Sequence, residues 1–591
     1  DLLPNLTFKS QFGLDYHITR SKIYEESMYE NPFGTSNNSL TEIQTNETNW
    51  SHFNTLNFSK TLAGIIDIQS LTGMEAATNH QQSIGSQVRG LQFGNDPNFR
   101  QLPNGTDAVT GGAEREHYKF SMFQSLNVKI SDKYLFTGII RRDGSSRFIN
   151  NRYSTFYGVS AAWRVTDESF MKNIRKNSIN DLKLRIGYGE TGNNEAGDYP
   201  GYSNYSNVIV FPFGGSLFSG AYSITGNHTS SIKGYDQTTT GNPDLKWETN
   251  ALFNVGVDVT FFNHLDVIAE WYYRKTKDMI FGIEQPSTAG KVGTIQTNIG
   301  SMKNTGLDLN LKYSAMALNK RINYSIGLTL SQYRNEVLNL DNNSNSFIPS
   351  GFSNGGPLTR TEAGKPISQF HGYIVDGIWK SEEEITKILF SDKGQAKPGR
   401  FKFRDLNLDG RINDADFTFI GSPHPDFIYG LQLNANAKNI DLSLFLNGVV
   451  GNQIINIVKS EYYSPFSNGN RHHDVLSESG ITLPVLDELD IYSYNRSTFY
   501  VEDGSYLRVK NIQLGYTLPA TKLSRLGIHH LRVYLQAQNL FTFTKYSGVD
   551  PDVTIANFGN GSGLGRDYTL GVDYGRYPTV KSVLFGINLE F

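Results

Sequence analysis

The sequence predicts an all-β protein, a transmembrane antiparallel β-barrel with long loops at one end, and three observations predict it. Apolar and polar side chains alternate with period two along most of the chain. The alternating segments number roughly 16–18 and many reach about ten residues, closer to a membrane strand than to the five or six residues of a soluble one. Very short turns join some segments and long Gly/Asn/Ser-rich stretches join others, the asymmetry of outer-membrane barrels.

Strand character begins at once, in LTFKSQFGLDY (6–16). Further on, Phe253, Val255, Val257, Val259 and Phe261 share one face, with Asn254, Gly256, Asp258 and Thr260 on the other. After a turn at Asn263–His264 the pattern resumes with Leu265, Val267, Ala269, Trp271 and Tyr273. It recurs at 307–313, at 427–446 around Lys438–Asn439, and at 511–518 and 531–541. The end, VLFGINLEF (583–591), places Val583, Phe585, Ile587, Leu589 and Phe591 on one face, as expected of a last strand that must pair to close a sheet. Long loops are expected at 78–114, 193–245, 338–424, 453–503 and 545–578. The one helix-like stretch is SEEEITKIL (381–389).

Bulk properties narrow the class. The chain has 591 residues, a net charge of −3 and no cysteine. That balance offers nothing to a nucleic acid, and disulfides and thiolate metal sites are excluded. Aromatics make up 13%, with 32 Tyr, and Trp163, Trp247 and Trp271 suit the girdles of a membrane interface. No run of 18 apolar residues is present, so a spanning helix is not expected. Lipid supplies no hydrogen bonds, so spanning strands must pair on both sides, with apolar residues outward and polar residues inward. A soluble β-sandwich gives the same alternation, because its inner face is apolar too; the alternation alone leaves both open.

Residues 403–452, FRDLNLDGRINDADFTFIGSPHPDFIYGLQLNANAKNIDLSLFLNGVVGN, are the most distinctive. This stretch resembles the SusC/RagA group of TonB-dependent outer-membrane transporters, with an Asp-x-Asn-x-Asp-Gly loop (Asp405–Gly410), an Ile-Gly-x-Pro-x-Pro-x-Phe turn (Ile420–Phe427) and a Gly-x-x-Gly-Asn end (Gly448–Asn452). GNPDLKWET (241–249), DGSSRF (143–148), RIGYGETGNN (185–194), YLRVKNIQLGYTLP (506–519) and RVYLQAQNLFTFTKYSGVDPD (532–552) extend the resemblance over essentially the whole chain. The resemblance implies a 22-stranded barrel filled by an N-terminal plug domain. It also implies a SusD-like surface lipoprotein partner, energy from the TonB complex, and import of glycan, less often oligopeptide, across the bacterial outer membrane.

This sequence departs from that pattern: no plug or TonB-contacting segment is seen. The expectation is therefore that 1–591 is the C-terminal part of the transporter barrel, most of its 22 strands, with the plug and first strands lying elsewhere. A passive porin or adhesin barrel is the alternative.

Within an extracellular loop, 403–416 forms a calcium-loop-like insertion. Asp405, Asn407, Asp409 and Asp416 offer side-chain oxygens, Arg411 a backbone carbonyl, and Gly410 a sharp turn, which is the spacing hard Ca²⁺ uses. The plain reading of the same residues is an Asx-rich turn held by its own side chains. No catalytic constellation is expected. GFSNG (351–355) has nucleophile-elbow spacing without the strand–helix frame, and GNGSGLG (559–565) lacks the Lys of a phosphate loop. His472–His473 and His529–His530 are adjacent, and in an extended chain their rings point apart. Tyr199, Tyr202, Tyr205, Tyr462, Tyr463 and Asn468 lie in loops suited to stacking on sugars, or to packing among themselves.

Overall fold

The computed structural model describes residues 3–26, 38–92, 94, 96–171, 178–206, 235–284, 294–318, 321–340, 356–386, 396–463, 472–475, 479–487, 490, 493, 496–519, 527–553 and 569–590. It also describes short strand segments within 209–233 and 347–353. Among the described residues seventeen strands belong to one hydrogen-bonded sheet, in line with the expected count. The chain divides into two compact units, one of Asp1–Ala161, Tyr188–Asn250 and Asp278–Asn298, the other of Ala162–Gly187, Ala251–Lys277 and Ile299–Phe591.

The first unit opens with β1 (Leu6–Glu25), β2 (Ser39–Leu62), β3 (Ile66–Arg89), β4 (Thr106–Ile130) and β5 (Tyr134–Ser145), each antiparallel to the next. Strand β6 (Tyr153–Arg164) follows. Ser131 and Asp132 both adopt positive φ, 52° and 58°, the conformation that matches the twist of a two-residue hairpin. Strands β2 to β4 run 24, 24 and 25 residues, so most of the loop expected at 78–114 is ladder. The sequence hides this because Gln81, Gln82, Ser83, Gly111 and Gly112 put polar or small groups on both faces. A strand that rises above the membrane is wet on both sides and need not alternate.

In the second unit the strands Leu265–Lys277, Ser301–Ala317, Ile322–Asn339, Phe427–Ala437, Ile440–Val450, Tyr506–Thr517, His530–Gln538 and Ser582–Glu590 pair in that order. The registers make one apolar row across all eight: Leu265, Tyr313, Ile326, Leu433, Leu444, Ile512, Ala537 and Val583. The neighbouring row on the other face is Asp266, Lys312, Gly327, Gln432, Phe445, Asn511, Gln538 and Ser582, mostly polar. The apolar face is not covered: Leu514, Leu535 and Phe585 are 53%, 54% and 70% exposed. A sandwich would bury them, so the soluble alternative fails here. Gly586 stands within the last strand because the Tyr534 ring lies over it, where a Cβ would overlap that ring.

Within each unit the registers set the short turns at one end of the ladder and the long connections at the other. Leu62 faces Ile66 and Ile66 faces Ile130. Ile322 faces Ala437 and Ile440 faces Tyr516. The buried apolar clusters lie among the long connections and the strand ends that carry them, as where Leu40 of β2 and Val88 of β3 pack on Leu91. One joins Phe148, Phe156, Ala196, Leu245 and Trp247. Another joins Leu358, Phe370, Ile455, Tyr500 and Val572, and a third Tyr373, Ile378, Phe401 and Phe403. The helix expected at 381–389 is described over Glu382–Thr386.

Candidate functional site

At the long-loop end of the second unit the connections fold into a small module. Strands Phe347–Ser353, Gly356–Glu362, Gln369–Gly372 and Thr418–Gly421 make one sheet. Strands Val501–Asp503, Gln453–Asn456 and Val572–Asp573 make another. The segment 405–416 is carried between Phe401–Phe403 and Thr418–Gly421.

Its side-chain oxygens turn onto its own amides. Asp405 accepts from the N–H groups of Leu408 (2.7 Å) and Gly410 (2.8 Å), Asn407 from that of Asp409 (3.0 Å), and Asp409 from that of Arg411 (2.8 Å). Asp416 is fully buried and ties the two ends together, accepting from Leu406 N–H (2.8 Å) and Asn413 N–H (2.9 Å). Gly410 has φ 75° and the exposed Leu408 φ 61°, the left-handed values that a chain of Asx turns imposes. Asp405, Asp409 and Asp416 do not bring three carboxylates to one point. Among the described residues the one triad close enough to share an ion is His472, His473 and Asp474. The two rings lie 4.6 Å apart, centroid to centroid, and both reach Asp474, at 3.2 and 2.7 Å. The backbone there turns, so the expectation that adjacent rings diverge does not hold at this pair.

His371 stands between Phe417 and Phe419, 5.7 Å from each ring centroid. Burial, with Arg360 and Arg496 nearby, lowers its pKa to about 4. The unfolded chain takes up a proton near pH 6.5 and the folded module only near pH 4, so falling pH favours the unfolded form. The module should therefore hold its full stability above pH 6.5 and lose it progressively as the pH falls toward 4. A His371→Phe variant should show a flatter slope in that window, read as protease resistance of the loops against pH.

Several stretches singled out in the sequence prove to be fastenings. In the first unit, Arg147 of DGSSRF pairs with Asp198 (3.1 Å) and donates to the Asn194 carbonyl (3.2 Å). Asn194 of GETGNN donates to Ser145 (3.0 Å), and Asn150 to Asp244 of GNPDLKWET (2.8 Å). In the second unit, Arg508 of YLRVKN is almost wholly buried, 1% exposed. It pairs with Asp550 and, at 3.3 Å, with Asp552 of the SGVDPD stretch, and donates to Thr542 at 3.0 Å. His424 of SPHPD bonds the Ile367 carbonyl (2.8 Å) and Tyr333 (3.3 Å). Sequence reasoning flagged these stretches by resemblance but missed the pairings; an Arg three residues into one stretch and a D-P-D in another were the signal.

Among the loop aromatics, Tyr199 is committed: its hydroxyl accepts from the Glu116 N–H at 3.0 Å. Tyr463 packs on Phe499 and His472. Tyr202, Tyr205 and Tyr462 remain exposed. Asn468 and residues 559–565 lie outside the described residues, as do Asn354 and Gly355 of the 351–355 stretch.

An antiparallel ladder whose apolar face in the second unit lies uncovered, with a polar opposite face and short turns opposed to elaborated loops, defines an outer-membrane β-barrel protein. The family model for TonB dependent receptor-like β-barrels matches residues 1–370. The chain belongs to that family. It is 31% identical to TonB-dependent receptor P3 of Formosa agariphila, over 100% of this chain and 57% of that protein. It is 26% identical to TonB-dependent receptor SusC of Bacteroides thetaiotaomicron, over 100% of this chain and 54% of that protein. A solved RagAB peptide transporter superposes with a TM-score of 0.79 at 26% identity, over 100% of this chain and 60% of that one. The chain thus spans a little over half the length of these relatives. Its kinship is with SusC- and RagA-type barrels of the bacterial outer membrane, receptors and transporters rather than enzymes.

Proposed function

We propose that this chain is the barrel portion of an active importer that takes a bulky nutrient across the outer membrane, working with a SusD-like surface lipoprotein and driven by the TonB complex through a plug domain. The observation that carries the reading is that likeness to SusC and to RagAB extends over the full length of this chain. We take the cargo to be an oligosaccharide. Exposed Tyr202 and Tyr205 in one unit and Tyr462 in the other are flat apolar faces with polar tips, which stack on sugar rings and bond their hydroxyls. An oligopeptide is the second reading, favoured by the RagAB structure, a peptide transporter. A strain lacking the gene, grown on single polysaccharides and on peptide mixtures, separates the two. Loss of growth confined to one polysaccharide supports the first, loss confined to peptides the second. Undiminished growth on every substrate, with uptake unaffected by TonB deletion, leaves a passive channel.

For the loop from Asp405 to Asp416 we propose a structural Ca²⁺ held by Asp405, Asn407, Asp409 and the Arg411 carbonyl. A carboxylate has about four acceptor sites, so an amide bond leaves room for a cation. Asp416, with both oxygens engaged and no exposure, is the least available of the expected ligands. Calcium titrated into the purified protein should release heat that Asp405→Asn with Asp409→Asn abolishes. Silence at millimolar calcium would mean that the turn holds itself.

A further inference from the structure

We propose that the outward face of strands β1–β6 carries a seat for one phosphate-bearing lipid of the outer membrane. The eight-strand ladder of the second unit is apolar row after row on its outward face. The first unit is not. Its outward rows include Phe8, Leu56, Thr72, Gln124 and Ile140, then Ser10, Asn54, Met74, Met122 and Arg142. These rows lie on the same face as the exposed Phe12, Leu14 and Ile18 of β1.

A concavity of about 710 Å³ opens over them, within the range of sites that hold small ligands. Phe8, Leu56, Met74, Met122, Ile140 and Tyr157 wall it, and methionine side chains adapt to an irregular chain. Its floor is polar but satisfied from within: Thr72 donates to Gln124, and Gln124 donates to Ser70 at 2.8 Å. Arg142 stands at one margin, exposed, with its guanidinium 5.4 Å from the Tyr153 ring. Its neighbour Asp143 is on the opposite face and is taken by Arg141 at 2.6 Å. No carboxylate of the described residues lies within ion-pairing reach of Arg142.

Depth decides what sits there. Arg142 is eight residues above the start of β5, about 20 Å along the normal for a strand tilted by ~40°, in the upper part of an apolar band ~25 Å tall. Hydrocarbon supplies no counter-ion, and a guanidinium near the interface reaches for one. Lipid phosphate lies at that level, and the acyl chain beneath it meets the apolar walls. A second copy of this chain fits less well. An isologous contact would place two Arg142 side chains in one dry interface, with the polar Ser10 and Asn54 of the same row beside them. The inference rests on the outward face meeting lipid and not on which cargo is imported.

The test uses the protein extracted from outer membranes, stripped of lipid in mild detergent, and read by native mass spectrometry. Added dioleoyl-phosphatidylglycerol should bind at one per chain, and dioleoylglycerol, which lacks the phosphate, should not. Arg142→Gln should weaken binding about tenfold, the loss of one charge-assisted contact, and Arg142→Lys should largely retain it. Met122→Trp, which fills the groove, should abolish it while heat-modifiable migration on gels shows the barrel intact. Equal binding of the two lipids, or of wild type and Arg142→Gln, overturns the proposal. So does efficient disulfide capture of two copies through a cysteine placed at Met74 in native membranes.

Discussion

Arg508→Met should lower the stability of the barrel's loop end by about 3 kcal/mol, the cost of leaving the largely covered Asp550 carboxylate without its cation. Among the described residues Arg508 is the most voluminous of the fully buried side chains, and it fastens four separate stretches. It lies on the strand Tyr506–Thr517, bonds Thr542 and Thr579, and pairs with Asp550 and Asp552. Asp550 in turn accepts from the Thr579 N–H at 2.9 Å, just before the last strand begins. Removing the guanidinium strands Asp550 in a nearly dry site. Adding Asp550→Asn to Arg508→Met should therefore restore part of the loss, since the second change removes the orphaned charge. The readout is the temperature at which the detergent-solubilised protein loses its fast-migrating folded band, with trypsin cleavage within 545–578 as the local probe. A wild-type midpoint for Arg508→Met would show that the pairs contribute nothing net. Additive losses in the double variant would show that the two groups do not act as one fastening.

The ladder was legible in the sequence wherever a strand passes through the apolar band. There the face-to-face contrast is enforced on every second residue, as in Leu431, Leu433 and Ala435 against Gln432, Asn434 and Asn436. Where strands rise above the band, as with Gln81–Ser83 facing Ala113–Arg115, both faces meet water and the signal disappears, although the backbone ladder continues unbroken. The loop module was invisible for a different reason. Its strands are two to seven residues long, and partners such as Tyr373 and Thr498 lie more than a hundred positions apart. The Asp405–Asp416 loop was legible as a turn, but not the burial of Asp416, whose carboxylate turns inward onto the Leu406 and Asn413 amides. Arg142 carried no signal at all: as one half of Arg141–Arg142 it looks like an ordinary charged pair, until the register sends one to Glu75 and Asp143 and the other to the outward face.

Leu431→Arg and Gln432→Arg are neighbours in sequence and opposite in expected outcome. Leu431 lies in the outward row with Leu311, Leu328 and Leu446, six residues above the short-turn end of its strand. That is about 15 Å up an apolar band ~25 Å tall, close to the midplane, where an arginine on the lipid face costs about 2–4 kcal/mol. Gln432 lies on the polar face in the row of Asp266, Lys312 and Asn511, where a guanidinium keeps its hydration. Leu431→Arg should therefore accumulate poorly in the outer membrane and be degraded during assembly, while Gln432→Arg should reach near wild-type levels with a normal heat-modifiable band. A soluble two-layer protein predicts something else: a Leu431→Arg variant that fails in buffer and is not rescued by detergent or lipid. Equal accumulation of both variants would remove the hydrocarbon from the outward face, and with it the lipid seat at Arg142. The reverse ranking would exchange the two faces of the sheet.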